Sequence, residues 1–435
     1  KHPLDAMVFV PRICGICSVS QSVASALALR DALGVVAPPN GDLATNLLLA
    51  CENVADHLTH FYLFFMPDFA RDAYAGAPWH AEVKARFEAV RGSASAEMLP
   101  ARARLMHLTG LLGGKWPHTL SLQPGGSARA VSAAEKIRLF AMLREFRGWL
   151  ERTLYGDALE AVAALDSMAA LDAWRTARPR GDLGVFLHLG EALDLRRLGR
   201  SAGRFLSVGT YRVAGEPGYA AGVWEAGQLA PFRHEDVAEE VSRSWMLGPP
   251  APVHPWQGDT LPAADKPDAY SWCKAPRWQG QVVECGALAR QVVDGHPLAR
   301  ALVADWGGSV HGRVVGRLLE IARTVIAMEA WVRALAPGEP FCVRAEVPDE
   351  AQGVGLVEAA RGALGHWLVV RKGHIANYQI IAPTTWNFSP RDRNGTPGAL
   401  EQALVGIELG DAGAASVQVQ HVVRSFDPCM VCTVH

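Results

Sequence analysis

The sequence predicts an α+β fold, mainly α: a long-helix bundle core with peripheral β-hairpins and irregular segments. Three observations predict it. Helical spacing and cap signals recur around residues 20–33, 42–66, 132–165 and 311–335, whereas strand patterns stand out only after residue 360. Two CxxC pairs, Cys14/Cys17 and Cys429/Cys432, lie at opposite ends of the chain. If both pairs bind one metal centre, the termini must meet across the bundle at a central metal site. No charge block or linker marks a boundary, so residues 1–435 read as one domain.

Taken in order, residues 1–19 read as an extended entry leading to Pro11–Cys17. Ser18 or Ser20 would cap a helix through Leu33, stopped by Gly34 and the Pro38-Pro39 pair. Asp42 would cap a second helix that ends before Pro67. It is rich in Leu, Phe and Ala, yet carries Glu52, Asp56, His57 and His60. Residues 92–131, with Gly113-Gly114 and Pro124-Gly125-Gly126, read mostly as loop. Ser132 and Glu135 form a capping-box pattern opening a helix to about Leu165, a spine of roughly 50 Å. Residues 179–310 read as irregular, and His311–Leu335 as a helix with Val314, Leu318, Ile321, Val325 and Met328 on its apolar stripe. Leu364–Val370 and Ile375–Ala382 form a hairpin about Lys372-Gly373, and Pro383 ends it. A turn-rich stretch and a last helical or extended segment lead into Phe426.

Hydrophobic residues make up 49% of the 435, enough for a large core. Lys plus Arg (42) nearly balance Asp plus Glu (44), which argues against a nucleic-acid binder. No uncharged run reaches about 18 apolar residues, so no membrane span is expected. Residues 1–20 lack the pattern of a secretory signal, and the expected location is cytoplasmic.

Cys51, Cys273, Cys285 and Cys342 stand alone and read as small buried hydrophobes. The two CxxC pairs carry the chemistry. Thiolates are soft ligands that select zinc, copper(I), iron–sulfur or other late transition-metal centres. Structural zinc usually takes close pairs in a small ribbon, and a thioredoxin-like site needs a single pair in a βαβ setting. Neither matches pairs at the two ends of a large apolar chain.

The flanks are more specific. Arg12-Ile13-Cys14-Gly15-Ile16-Cys17 and Asp427-Pro428-Cys429-Met430-Val431-Cys432-Thr433-Val434-His435 resemble the RxCGxC and DPCxxCxxH motifs of nickel–iron hydrogenase large subunits. The likeness continues at Ala55-Asp56-His57 to Phe61-Tyr62, at Pro124-Gly125-Gly126, from Glu358 through Arg361 to Trp367, and from Asn377 to Asn387. It spans the chain from end to end.

This resemblance implies a nickel–iron centre. Cys14 and Cys429 would be terminal nickel ligands, Cys17 and Cys432 would bridge to iron, and the iron would carry cyanide and carbon monoxide. H2 would be cleaved heterolytically, with Cys429 taking the proton. Arg361, between Ala360 and Gly362, would project over the site. The alternative for an arginine before a strand is a solvated rim. Thr384 would donate to a cyanide, Leu364 would line the carbon monoxide pocket, and Asp56 and Asp427 would complete the canopy. A lone buried carboxylate is costly, which makes Arg361 the expected partner of Asp56. Asp427 has an alternative reading as a turn cap before Pro428. His435 and the backbone carbonyl of Ile380 would help bind Mg2+. An iron–sulfur small subunit is the implied partner for electron exit, and H2 the substrate.

Three features depart from the family pattern. The strand-rich segment before RxCGxC, with its two glutamates, does not precede Cys14 and is expected to be truncated; the C-terminal extension is also lacking. Ala360 stands where proline is usual. Gln21 stands where RxCGxCxxxH has histidine, which resembles the regulatory, hydrogen-sensing branch, whose small subunit couples to a histidine kinase. Hydrogen sensing is therefore the expected role. The rivals are an energy-conserving uptake hydrogenase and a non-catalytic homologue like those of respiratory complexes, which generally lose the cysteines kept here. Gln21 is expected to point toward the thiolate or the partner subunit, or else to lie on the helix surface.

Overall fold

Residues 1–177, 181–409 and 416–433 are described by a computed structural model of the chain. The helices that build the site are α1 (Ser18–Leu33), α2 (Pro39–Thr59), α3 (Ser93–Gly113), α4 (Ala133–Trp149), α5 (Asp182–Ala192), α6 (Ala287–Val293), α7 (Val310–Ala334), α8 (Pro383–Asn387), α9 (Val417–Ser425) and α10 (Met430–Thr433). The mainly helical α+β prediction holds. α2 and α7 lie in contact in the middle, with α1 and α3 against α2, and α4 against α7. One apolar core runs continuously from Met7 to Cys432.

Of five sheets among the described residues, the two largest flank the helices. The first orders β4 (Glu284–Cys285), β1 (Arg204–Thr210), β2 (Tyr219–Glu225) and β3 (Gln228–Ala230). The second is an antiparallel meander of β5 (Ala351–Ala359), β6 (Gly362–Arg371) and β7 (His374–Ile381). The predicted hairpin is therefore present, but β5 is an unpredicted third strand. Its glycines hid it, and packing explains them. A Cβ on Gly353 would stand 2.0 Å from the Ala28 carbonyl oxygen, and one on Gly355 1.9 Å from that of Ala24. Helix α1 lies directly on this strand, and only glycine permits that approach.

Several boundaries differ from expectation. The entry is not extended: Pro3–Asp5, Ala6–Phe9 and Val10–Arg12 are helical turns, opened by a capping box of His2 and Asp5. Helix α1 stops at Gly34 (φ 61°) as predicted, but Cys17 occupies the cap position and Ser18 is already helical. Pro38, not Asp42, precedes α2, and Asp42 instead pairs with Arg30 at 2.9 Å. Residues 92–131 are not mostly loop, because α3 fills 93–113. Its Ala94, Met98, Ala101, Leu105, Leu108 and Leu112 are buried at helical spacing. The helix former content there outweighs Pro100, which sits on the exposed side. The Ser132–Glu135 capping box opens α4, but the spine ends early: a π-turn covers Leu150–Tyr155 and Gly156 turns left-handed at φ 67°. The stretch 179–310 is less irregular than expected, since it holds α5, α6 and the first sheet.

Candidate metal centre

The cysteine loops dock as the sequence predicts. Cys17 caps α1, while Cys429 follows the turn out of α9 and Cys432 sits in α10. The sulfurs of Cys14, Cys17 and Cys429 lie within 4.8 Å of one another, and all three residues are buried. Cys14 Sγ is 3.7 Å from Cys429 Sγ, and the Cys17 amide donates to Cys14 Sγ at 3.4 Å. Cys432, also buried, stands outside the tight trio but near enough to Cys17 and Cys429 to interact with both. The expectation of four mutually close sulfurs is thus met for three. None of the eight cysteines is in a disulfide.

Crowding separates their protonation. Cys429 is the thiol pulled down: hydrogen bonds from Cys14, Cys17 and Cys432 hold its thiolate, and the Arg361 charge adds to them. Cys14 is pushed up through its bonding to Cys17 and Cys429 and by burial. Four convergent soft donors out of water fit a late transition-metal centre far better than a hard cation.

Arg361 and its carboxylates occupy the predicted place. Its Nη1 donates to Asp56 Oδ2 at 3.0 Å, and its Nε faces Asp427 Oδ1 at 3.4 Å, beyond good hydrogen-bond range. Arg361 Nε and Asp427 Oδ2 have no hydrogen-bond partner among the described residues. Burial lifts the Asp56 carboxyl to about 6, against the pull of Arg361. Asp427 faces Arg361 and also closes α9. Its φ is 57° and its amide donates to the Arg424 carbonyl at 2.9 Å. Asp is among the few residues that tolerate this conformation.

The tight turn Ala360-Arg361 joins β5 to β6, with Ala359 paired to Gly362. Gly362 has φ 129°, and a Cβ there would lie 2.6 Å from Cys285 Sγ. Thr384, in α8, accepts from the Cys429 amide at 3.1 Å and so fixes that ligand's backbone. Leu364 is buried in β6 and Ala360 in the turn. Ile380 is half-buried on β7. Its neighbour Gln379 accepts from Lys274 Nζ at 3.1 Å, and Lys274 pairs with Glu239 at 3.6 Å. Cys273 Sγ, next to Lys274, reaches the Cys432 carbonyl at 3.6 Å, which brings this cluster beside the C-terminal segment. His435 lies outside the described residues.

Gln21 does not lie on the helix surface, the bland placement expected for it. It is 1% exposed, and its Oε1 accepts from His366 Nε2 at 3.0 Å, while Tyr378 donates to His366 Nδ1 at 2.9 Å. The reason is packing: α1 lies on the β5–β6 sheet, so a side chain one turn beyond Cys17 meets β6 rather than solvent or sulfur. Of the lone cysteines, Cys51, Cys273 and Cys285 are buried as expected, whereas Cys342 is partly exposed.

Sequence reasoning missed two polar groups. Glu52 accepts from the Val19 and Ser20 amides (2.9 Å each), the Ser20 hydroxyl and Trp116 Nε1, and so caps α1 from α2. Arg290, Glu320 and Glu358 form a wholly buried ion cluster behind the Arg361 turn. The available signal was a charge inside an apolar stretch, the same signal that marked Asp56.

Comparison with known proteins agrees with this geometry. A nickel-dependent hydrogenase family model matches residues 1–75 and 93–435, and the chain belongs to that family. It is a hydrogenase large subunit, an oxidoreductase whose cysteines serve a nickel–iron centre. It is 29% identical to the periplasmic NiFeSe hydrogenase large subunit of Desulfomicrobium baculatum, covering 100% of this chain and 86% of that one. It is 27% identical to the Hydrogenase-2 large chain of Escherichia coli (strain K12), with 100% and 89% covered, and 27% identical to the uptake hydrogenase large subunit of Azotobacter chroococcum mcd 1, with 100% and 88% covered. The solved NiFeSe hydrogenase of Dm. baculatum superposes with a TM-score of 0.85 at 28% identity, covering 100% of this chain and 90% of that one. The oxidised Ni-Fe-Se enzyme of D. vulgaris Hildenborough gives 0.82 at 28%, with the same coverage.

Proposed function

We propose that this chain is the H2-cleaving subunit of an energy-conserving uptake hydrogenase, passing electrons to an iron–sulfur small subunit. The observation that carries the reading is the buried sulfur trio with Cys432 beside it, faced by an under-bonded Arg361. The named relatives include an uptake hydrogenase and Hydrogenase-2, which favours turnover over sensing.

When bound, the nickel–iron centre, with cyanide and carbon monoxide on iron, supplies a metal pair able to take up and polarise H2. Cys14, Cys17, Cys429 and Cys432 would hold the centre. The remaining steps belong to the chain. Cys429, held as thiolate beside the Arg361 charge, would take the proton released on cleavage. Arg361 holds a fixed positive fork beside it, organised by Asp56 and Asp427. Asp56, lifted to about 6, is able to exchange a proton near neutral pH. Thr384 accepts from the Cys429 amide and keeps its own hydroxyl hydrogen for a cyanide nitrogen. Leu364 and Ala360 keep the wall apolar. Ile380, through its carbonyl, and His435 would hold Mg2+, with Lys274 and Gln379 behind them.

A second reading, hydrogen sensing with a histidine kinase reached through the small subunit and a cytoplasmic location, rests on Gln21. The test is to purify the chain with its small subunit, measure dye-linked H2 oxidation and record the infrared spectrum. Rapid turnover with cyanide and carbon monoxide bands supports the uptake reading. Slow turnover with a co-purifying kinase, and a gain on Gln21→His, replaces it with sensing. Absence of both activity and bands removes the hydrogenase reading of the site.

A further inference from the structure

Arg361 acts from a tight turn, and a turn alone does not fix a side chain to a few tenths of an ångström. What stands behind this turn is Arg290 of α6, 0% exposed, with all five guanidinium hydrogens used. Its Nη1 donates to the Ala359 carbonyl at 2.8 Å and its Nη2 to the Ala360 carbonyl at 3.0 Å, the two carbonyls immediately before Arg361. Nη1 also donates to Glu358 Oε2 at 2.7 Å, at the end of β5.

The other side of the same guanidinium grips α7. Arg290 Nε and Nη2 donate to Glu320 Oε2 (2.8 Å) and Oε1 (2.6 Å). Glu320 Oε1 in turn accepts from His57 Nε2 at 3.0 Å. His57 follows Asp56 directly on α2, and Asp56 is the carboxylate that takes Arg361 Nη1. The loop of contacts closes: Arg290 reaches Arg361 through two backbone carbonyls, and reaches Asp56 through Glu320 and His57.

We propose that Arg290 is a positioning residue for the H2 reaction, holding the Ala360-Arg361 turn and the Asp56 segment of α2 in one register, and so aiming Arg361 at the sulfurs. This rests on reading the sulfur group as an H2-cleaving site. A planar fork with five donors can hold two carbonyls and two carboxylates together; an ammonium with three cannot. Lysine therefore keeps the buried charge but releases at least two of the five bonds.

The experiment compares Arg290→Lys with Arg147→Lys in the full chain bound to its small subunit. Arg147 is also a buried hub, bonded to Glu151, Glu160 and Glu329, and touches no site residue. Two readouts are taken: steady-state H2 oxidation, and amide hydrogen exchange of the peptide spanning 358–364. R290K is expected to lower kcat by about tenfold or more with KM for H2 within about threefold. It should also speed exchange at the turn about tenfold. R147K should leave both within about twofold. Wild-type kcat and wild-type turn exchange in R290K overturn the proposal, as does an equal loss of kcat in R147K. Should R290K not accumulate, Glu320→Gln loosens the same anchor and is expected to change both readouts in the same direction by about threefold. Unchanged exchange in that variant overturns the proposal instead. An inactive wild-type complex would remove the H2 reading alone, because the exchange readout judges Arg290 without it.

Discussion

Two buried clusters in this molecule have the same composition, one arginine between two carboxylates, and opposite degrees of completion. In Arg290–Glu320–Glu358 every guanidinium hydrogen has an acceptor at 2.6–3.0 Å. In Arg361–Asp56–Asp427 one bond is good, one pair stands at 3.4 Å, and Arg361 Nε and Asp427 Oδ2 lack hydrogen-bond partners among the described residues. Buried polar groups are rarely left unsatisfied, because each orphan costs about 1–3 kcal/mol. The first cluster is therefore scaffold and the second is the working face, where unspent hydrogen-bonding capacity remains for a reacting group. Protonation does not follow this division, since each cluster has one depressed and one raised carboxyl. The arginines hold Glu320 and Asp427 below the ordinary carboxylate range, whereas burial lifts Glu358 to about 7 and Asp56 to about 6.

The comparison is open to direct attack. The largest effect belongs to the sulfurs: Cys429→Ala should abolish H2 oxidation, a loss of about 10⁴-fold or more, with circular dichroism unchanged. Retained activity would sink the site. On the scaffold side, Arg290→Met should cost about 3–5 kcal/mol in denaturant melts, because two buried carboxylates lose their cation. On the working face, Arg361→Lys should lower kcat about a hundredfold while shifting stability by about 1 kcal/mol or less. If the two arginines exchanged these phenotypes, the division between scaffold and working face would be wrong.

A smaller effect probes buried polarity away from either cluster. His311, stacked on Phe186, has no hydrogen-bond partner for either ring nitrogen among the described residues, and burial lowers its pKa to about 3. A histidine depressed in the fold contributes stability at pH above its unfolded value of about 6.5 and loses it as pH falls toward 3. His311→Phe should remove that loss. The variant's advantage over wild type should grow by about 1.4 kcal/mol for each pH unit below 6.5, read from urea melts at pH 7 and 5.5. An unchanged difference between the two pH values would show that His311 charges freely in the fold.

Much of the site was legible because its chemistry needs particular residue types at fixed local spacing. The CxxC pairs, the arginine before Gly362 and Asp56 in the apolar part of α2 are all readable within a few residues. The pairing of Arg361 with Asp56 was deducible because a buried carboxylate demands a cation. Gln21 was misplaced because its neighbour, His366, is more than three hundred positions away and is brought there only by the packing of α1 on the sheet. Strand β5 was missed for a related reason: Gly353 and Gly355 weaken every local strand signal, and their purpose appears only when the backbone of α1 is seen lying on them.

The sequence by itself determined the helix cores, the capping box at Ser132, the hairpin about Lys372-Gly373 and which cysteines stand in CxxC pairs, since these follow from periodicity and from local spacing. Only the tertiary structure decided which buried charges are complete and which are left open. Arg290 and Arg361 look alike in sequence, each an arginine directly after an alanine. Their difference lies in how many acceptors the surrounding backbone turns toward them, and that is a property of packing between segments far apart in the chain.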